Sequence, residues 1–169
     1  HEKYSGKNIK YFDPEINESY TPYVIETSIG VDRMFLSIMC ASYNEEKLDN
    51  GETRIVLNLP PVLAPVKVAI LPLLKKDGLP EKAMEIMNDL KFDYKCAYEE
   101  KDTIGKRYRR QDAIGTPFCV TVDHQTLTDG TVTLRHRDSM QQDRVKIEDL
   151  HGIIGEAVNM RNLFKKIVG

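Results

Sequence analysis

The chain has few cysteines, and they are not arranged for chemistry. Cys40, Cys96 and Cys119 lie far apart with no Cys-x-x-Cys pair. An odd set of scattered, apolar-flanked thiols argues against a disulfide framework or a zinc site and fits buried residues in a reducing compartment, so a cytoplasmic location is expected. His1, His124, His136 and His151 have no metal-ligand spacing either, and no metal site is expected. No apolar run approaches the roughly 20 residues of a membrane span, and no signal-peptide pattern is present. An excess of one charge sign is also missing: 24 Lys and Arg stand against 26 Asp and Glu, a net charge of −2. Any contact with a polyanion must therefore come from a local patch. The most apolar run is not followed by Gly-x-Gly-x-x-Gly, Gly105-Lys106 lacks the flanking residues of a phosphate-binding loop, and Gly-x-Ser-x-Gly is absent. Internal repeats are absent. There is no methionine before Met34, so the chain is expected to be a piece of a larger protein. Its 169 residues suit one domain, or one domain and a fragment.

What is present begins with a polar, turn-rich stretch from His1 to Glu18, with a short strand candidate over Ile9–Phe12. Tyr20–Ser28 alternates as a strand, Tyr23, Ile25 and Thr27 against Val24, Glu26 and Ser28. Gly30 ends it, and a helix is expected from Val31 to about Glu46, with Val31, Phe35, Ile38, Met39 and Ser42 on one face. Arg33 in its first turn opposes the helix dipole, which an anionic ligand nearby would explain. The charged segment 43–54, with Asp49-Asn50-Gly51, reads as a linker or solvent loop. The domain boundary is placed there: 1–53 as one segment and 54–169 as a second domain.

The second segment predicts a strand over Val66–Leu71, apolar enough to be buried on both faces. A helix with Pro80 at its start follows, with Ala83, Ile86, Met87 and Leu90 as its buried stripe. Phe92–Tyr98 alternates as a half-buried strand, completing a βαβ unit. Next comes a run with four basic residues in five positions, Lys106, Arg107, Arg109 and Arg110. As a helix, it puts Lys106, Arg109, Arg110 and Ala113 on one face, Ile104 and Tyr108 opposite, and Arg107 and Ile114 at the flanks. A solvated Arg-rich face competes with a phosphate-docking face for this pattern. Strands are expected over Phe118–Asp123, Thr131–Arg137 and Gln141–Ile147, with a turn at Thr128-Asp129-Gly130. A closing helix runs from Ile147. The later strands add Arg135, Arg137 and Arg144, beside Asp138 and Gln142. Cations, amides and tyrosine form the set used on RNA phosphates and unstacked bases.

Several stretches resemble one family. Tyr20-Thr21-Pro22-Tyr23-Val24-Ile25-Glu26-Thr27-Ser28-Ile29-Gly30-Val31-Asp32-Arg33 resembles the third motif of class II aminoacyl-tRNA synthetases, in the form seen in glycyl-tRNA synthetases. Leu63-Ala64-Pro65-Val66-Lys67-Val68-Ala69-Ile70-Leu71-Pro72-Leu73 and Gly105-Lys106-Arg107-Tyr108-Arg109-Arg110-Gln111-Asp112-Ala113-Ile114-Gly115-Thr116-Pro117 are similar to the C-terminal anticodon-binding domain of those enzymes. So are Asp123-His124-Gln125-Thr126-Leu127 and Val132-Thr133-Leu134-Arg135-His136-Arg137-Asp138. Thr27 stands where the family commonly has proline, and of the glycine-rich motif only Gly30 is kept.

The resemblance implies an α/β fold, a mixed sheet of about five strands flanked by three helices, preceded by a strand–helix remnant of an antiparallel catalytic sheet. It implies that the parent joins glycine to its tRNA using ATP with magnesium, as a homodimer. Arg33 is then the ATP contact, and Glu26 and Ser28 bind glycine. The first two motifs of the class would lie upstream of His1, so this piece is not expected to aminoacylate alone or to carry catalytic residues of its own. Glycine anticodons carry two cytosines, for which carboxylate acceptors and Arg or Gln donors are suited readers. Lys106, Arg107, Arg109 and Arg110 are the expected phosphate and loop contacts, with Arg135, Arg137 and Asp138 as candidates for base contact. The alternative is a non-catalytic accessory or tRNA-binding module built on the same fold. The joint presence of Glu26, Ser28 and Arg33 counts against it.

Overall fold

A strand satisfies its backbone only through a neighbour, and the first residues find a small one. In the computed structural model, which describes residues 1–168, helix α1 (Glu2–Ser5) is closed by Gly6 and followed by a hairpin. The hairpin pairs β1 (Tyr11–Asp13) with β2 (Glu18–Tyr20), antiparallel. Tyr11 and Tyr20 face each other across it with ring centroids 6.0 Å apart, edge to face. The strand expected over Tyr20–Ser28 does not form: residues 21–30 have no regular structure and are exposed throughout. Their alternation is a real strand pattern, but among the described residues no strand pairs with it. Helix α2 (Val31–Ser42) starts after Gly30, as the sequence suggests, but stops four residues earlier than expected because Tyr43 enters a strand.

The chain divides into two compact units, His1–Met34 and Phe35–Gly169, so residues 35–53 belong with the larger unit. The presumed linker is a hairpin: β3 (Tyr43–Lys47) pairs antiparallel with β4 (Thr53–Leu57), and Gly51 takes the positive φ of 82° that the turn requires. Asn-Gly between strands is a hairpin signal that the flanking charges concealed. In β4 the inward positions are Arg54, Val56 and Leu57; an arginine with no exposed surface thus occupies a core position.

The central sheet follows from two runs buried at every residue, β5 (Val68–Pro72) and, later, Phe118–Val122. After β5, helix α3 (Leu79–Leu90) carries Leu79, Ala83, Ile86 and Leu90 inward, as its periodicity predicts. Strand β6 (Cys96–Tyr98) is shorter than the expected Phe92–Tyr98, because the N–H groups of Asp93 and Tyr94 donate back to the Leu90 carbonyl in the turn that ends α3. Helix α4 (Ile104–Ala113) leads to β7 (Phe118–Val122), which pairs parallel with the other side of β5. The expected turn before β8 is a short helix, α5 (His124–Asp129). The Asp123 carboxylate accepts from the Thr126 N–H (3.0 Å) and Thr126 Oγ1 accepts from the Asp123 N–H (3.1 Å), a reciprocal cap. Strands β8 (Thr131–His136) and β9 (Gln142–Lys146) complete the order β6-β5-β7-β8-β9, the last two antiparallel. The closing helix is a 3-10 turn and then two helices, α6 (Leu150–Val158) and α7 (Met160–Val168), broken at Asn159.

The sheet is covered on both faces, and the layers differ. Val68, Ile70, Val120 and Val132 pack under α3 and under Leu150 and Ile154 of α6. Each such fully buried aliphatic contributes about 1.5–3 kcal/mol. On the other face Ala69, Leu71 and Cys119 form a smaller cluster with Ala97 and with Ile104 and Tyr108 of α4. The mixed five-stranded sheet flanked by helices is the architecture expected from the sequence.

Candidate nucleic-acid interface

Helix α4 is the element through which the sheet presents cations. Its inward residues recur at helical spacing: Ile104 and Tyr108 pack on the cluster of Ala69, Leu71 and Cys119, and Arg107, Gln111 and Asp112 are buried. Tyr108 Oη and Thr121 Oγ1 of β7 hydrogen-bond at 2.6 Å, and the Arg135 guanidinium lies 4.7 Å from the centre of the Tyr108 ring. That anchoring turns Lys106, Arg109 and Arg110 outward, in agreement with the helical phasing. Together with Ala113 they line an open groove whose far wall is Glu52, Thr53 and Ile55 of the β3–β4 hairpin. Lys106 is exposed. Arg109 keeps only a loose pairing with Glu52, at 3.7 Å.

Three of the basic residues singled out in the sequence are placed differently. Arg107 is 2% exposed. Its guanidinium donates to the carbonyls of Pro72 (2.6 Å), Leu73 (3.2 Å) and Glu99 (3.2 Å), tying α4 to the carboxyl ends of β5 and β6. Arg135 is buried and donates two hydrogen bonds to Asp112, at 2.7 and 3.0 Å. The Asp112 contact outweighs the cost of burial and leaves the Arg135 pKa raised. Arg137 is buried too, donating to the carbonyls of Gly115 and Leu59, both at 2.8 Å, and to Asp138. These three are internal ties, so the expectation that Arg107 meets phosphate and that Arg135 and Arg137 meet bases is corrected. Strand-end carbonyls with no sheet partner need donors, and arginine supplies several in one plane. Asp138 remains at the surface, held by Arg137 and by Asn58 at 2.8 Å. Burial raises its pKa, but these hydrogen bonds prevail and hold it below the ordinary carboxylate range.

Arg110 has a further role. It pairs with Glu99 and with Asp102 (2.9 Å) and donates to the Lys101 carbonyl (2.8 Å), closing the loop that leads from β6 into α4. Asp102 in that loop has a φ of 70°, in the left-handed region. The neighbouring carboxylate, Glu100, is engaged by Tyr98 Oη at 2.8 Å, and burial followed by that hydrogen bond pushes the Tyr98 phenol up to about 12. Across the sheet edge, Arg144 grips Asp123 at 2.6 and 3.0 Å and lowers the pKa of that carboxylate. Sequence reading missed Arg54, Asp112 and Glu99. The signal for the last was two consecutive acids, Glu99-Glu100, at the end of the alternating strand pattern that precedes the basic helix.

The other expected site residues lie in the smaller unit. Glu26 and Ser28 are exposed in the irregular segment 21–30, and Arg33 is exposed in the first turn of α2. Among the described residues no group of three or more His, Cys, Asp and Glu side chains could hold a metal ion, and no helix is long and apolar enough to cross a membrane. Burial pushes the Cys119 thiol up to about 12, which leaves it inert as a nucleophile at neutral pH.

Comparison with known proteins places this arrangement. Residues 67–157 match the model of the anticodon binding domain. The chain is 52% identical over 158 residues to a glycine–tRNA ligase of Clostridium tetani, covering 94% of this chain and 34% of that protein. It is 52% identical over 147 residues to the one of Chlorobaculum tepidum, covering 87% and 31%. With that of Borrelia hermsii it shares 51% over 156 residues, covering 91% and 35%. The chain thus spans about a third of the length of the curated relatives it matches.

Proposed function

The chain belongs to the anticodon binding domain family, and from that premise we propose that its larger unit binds the anticodon arm of the tRNA that accepts glycine. The observation that carries the proposal is the outward face of α4. Lys106 and Arg109 stand there in a groove, on a helix fixed from below, in a protein with no general excess of positive charge. A local cation ridge on a neutral background selects a polyanion without binding every surface.

The parent activity proposed is that of a glycine–tRNA ligase, joining glycine to tRNA at the expense of ATP with magnesium, in a homodimer and in the cytoplasm. The identity to glycine–tRNA ligases over some nine-tenths of the chain supports this. In this reading Arg33 contacts the nucleotide, and Glu26 and Ser28 hold the amino acid through its ammonium. The residue types fit: a guanidinium suits a phosphate group, and a carboxylate beside a hydroxyl suits a small ammonium. The segment 21–30 that carries Glu26 and Ser28 is irregular and exposed, so the chain by itself does not assemble a pocket from them. It is proposed to bind tRNA and not to aminoacylate.

The test is the affinity of the chain for a glycine-anticodon stem-loop and for one with both cytosines replaced. Tighter binding of the first by tenfold or more is the expected result. Equal affinity for the two would leave only charge attraction and overturn the proposal of a specific reader.

A further inference from the structure

The groove along α4 has two walls, and the far one carries a charge of the wrong sign for a polyanion. Lys106, Arg109, Arg110 and Ala113 line one side, and Glu52, Thr53 and Ile55 of the β3–β4 hairpin line the other. Glu52 is placed by the turn that precedes it. Its N–H donates to the Asn50 side-chain oxygen at 3.0 Å, and its carbonyl accepts from the Leu48 N–H at 2.9 Å. The Asn50 amide donates in return to the carboxylate oxygen Oε2 at 3.2 Å. That same oxygen stands 3.7 Å from Nη2 of Arg109. The turn thus aims one carboxylate across the groove at the cation ridge.

On the side of the cation the pairing is incomplete. At 3.7 Å it is an ion contact without a hydrogen bond, and Nη1 of Arg109 is buried with no partner. A guanidinium is a fork of parallel donors, and an anion that meets it squarely takes two of them. Glu52 meets the fork with a single oxygen. Arg110, by contrast, is already committed within the chain to Glu99 and Asp102. Arg109 is therefore the cation of the groove that is held but not satisfied, and two phosphate oxygens would satisfy it better than Glu52 does. The Glu52 side chain is 68% exposed, so it turns into water at little cost once displaced. A loose, exposed contact of this kind suits exchange of one anion for another, whereas the buried pair of Asp112 and Arg135 suits permanence.

We propose that Glu52 is a built-in competitor for the RNA phosphate that Arg109 binds, giving up the guanidinium as RNA docks and retaking it as RNA leaves. This rests on the anticodon-arm reading and adds to it a control of affinity and release that is separate from base recognition. By occupying Arg109 in the free protein, the carboxylate weakens docking and shortens the life of the complex, since affinity differences within one interface appear mainly in the dissociation rate.

The test uses the full chain and the glycine-anticodon stem-loop at about 0.15 M salt, where exposed charges more than about 8 Å apart are screened. Glu52→Gln keeps an oxygen for the Asn50 amide but loses the charge. It should bind about two- to fivefold more tightly, the range that an exposed ion pair spans. The gain should appear as slower dissociation, with the thermal midpoint near wild type. Glu52→Ala should gain similarly, a second variant that guards against a fault peculiar to the first. In an Arg109→Ala background the Glu52→Gln change should bring no gain, because the residue for which Glu52 competes is gone. Asp49→Asn removes an equal charge from the same hairpin, at an exposed residue that does not line the groove, and should leave affinity near wild type. A gain in neither Glu52 variant, a gain that persists without Arg109, or an equal gain from Asp49→Asn overturns the role of Glu52 while leaving anticodon-arm binding standing. Failure of wild-type protein to bind the stem-loop defeats the underlying reading and this one with it.

Discussion

Asp112 of α4 and Arg135 of β8 meet inside the protein through two hydrogen bonds, 2.7 and 3.0 Å long, with Asp112 wholly buried. Arg54 of β4, also wholly buried, comes within 3.5 Å of the same carboxylate and donates to the Arg137 carbonyl at 2.6 Å. The helix that carries the outward cations is thus held from beneath by charge. Two neighbouring structures, the hairpin and the sheet, hold the same acid. A strongly polar tie fixes one rotation of the helix where an apolar contact would allow several, which matters if the opposite face is to stay aimed at a ligand.

Removing the acid alone should be expensive. Asp112→Ala leaves Arg135 buried without its counter-charge, while Arg54 keeps Glu46 at 3.4 Å, and a loss of about 3–5 kcal/mol is expected, measured by urea unfolding. Replacing both partners, as in Asp112→Leu with Arg135→Met, removes the orphaned charge at Arg135 and should cost less than the single change. A double variant as unstable as the single one would show that packing, and not the charge, is what Asp112 supplies.

A glycine in the first turn of α4 and one just past its end should respond in opposite directions. Gly115 has a φ of 82°, and a Cβ there would meet the Leu57 carbonyl oxygen at 3.1 Å and Leu59 Cδ1 at 3.2 Å. Gly115→Ala should therefore cost more than about 1 kcal/mol. Gly105 lies in the first turn of the helix with open space around it, so Gly105→Ala should gain about 0.4–1 kcal/mol. Thermal midpoints of the two variants check both signs at once.

The contrast between these elements shows what the sequence could disclose. Strand β5 and helix α3 were legible because every position obeys burial: continuous apolar for the strand, a clean helical stripe for Leu79, Ala83, Ile86 and Leu90. Helical phasing also separated Lys106, Arg109 and Arg110 from the anchors Ile104 and Tyr108. It could not separate Arg107 from its neighbours, because an arginine that serves strand-end carbonyls has the same sequence signature as one that faces water. Arg54 was hidden for the same reason, among charges that read as a linker. The alternation over Tyr20–Ser28 is a genuine strand pattern, but pairing is a property of the neighbour and not of the segment.

Acid should act through the β7–β8 connection. The Asp129 carboxylate accepts from the Thr131 hydroxyl (2.7 Å), from Gln125 (2.8 Å) and from the Thr131 N–H (2.9 Å), which lower its pKa from 3.8 to about 2. The neighbouring Asp123 is lowered as well, mainly by Arg144. A group whose folded pKa is depressed gives its full stabilisation above the unfolded value and loses it as pH falls toward the folded one. The contribution of Asp129 should be constant down to about pH 4 and disappear between there and about pH 2. Asp129→Asn should lower stability at neutral pH and flatten the thermal midpoint across that acid window; a window of unchanged slope would mean that the hydrogen bonds to Thr131 do not persist in solution.

The division of the basic residues into two kinds gives the sharpest mutational contrast. Lys106 and Arg109 face the groove, and their replacement by alanine should leave folding nearly intact. Each change should weaken binding of the anticodon stem-loop and reduce the slope of log K against log salt by roughly 1 for every phosphate that the variant no longer neutralises. Arg107→Ala should do something different, since it strips donors from the carbonyls of Pro72, Leu73 and Glu99. A loss of about 1–3 kcal/mol of stability is expected there, with a salt slope close to wild type in whatever fraction remains folded. The two sets differ in which observable moves, not in how basic they are. A salt slope that Lys106→Ala and Arg109→Ala leave untouched would place the RNA on another surface of the sheet.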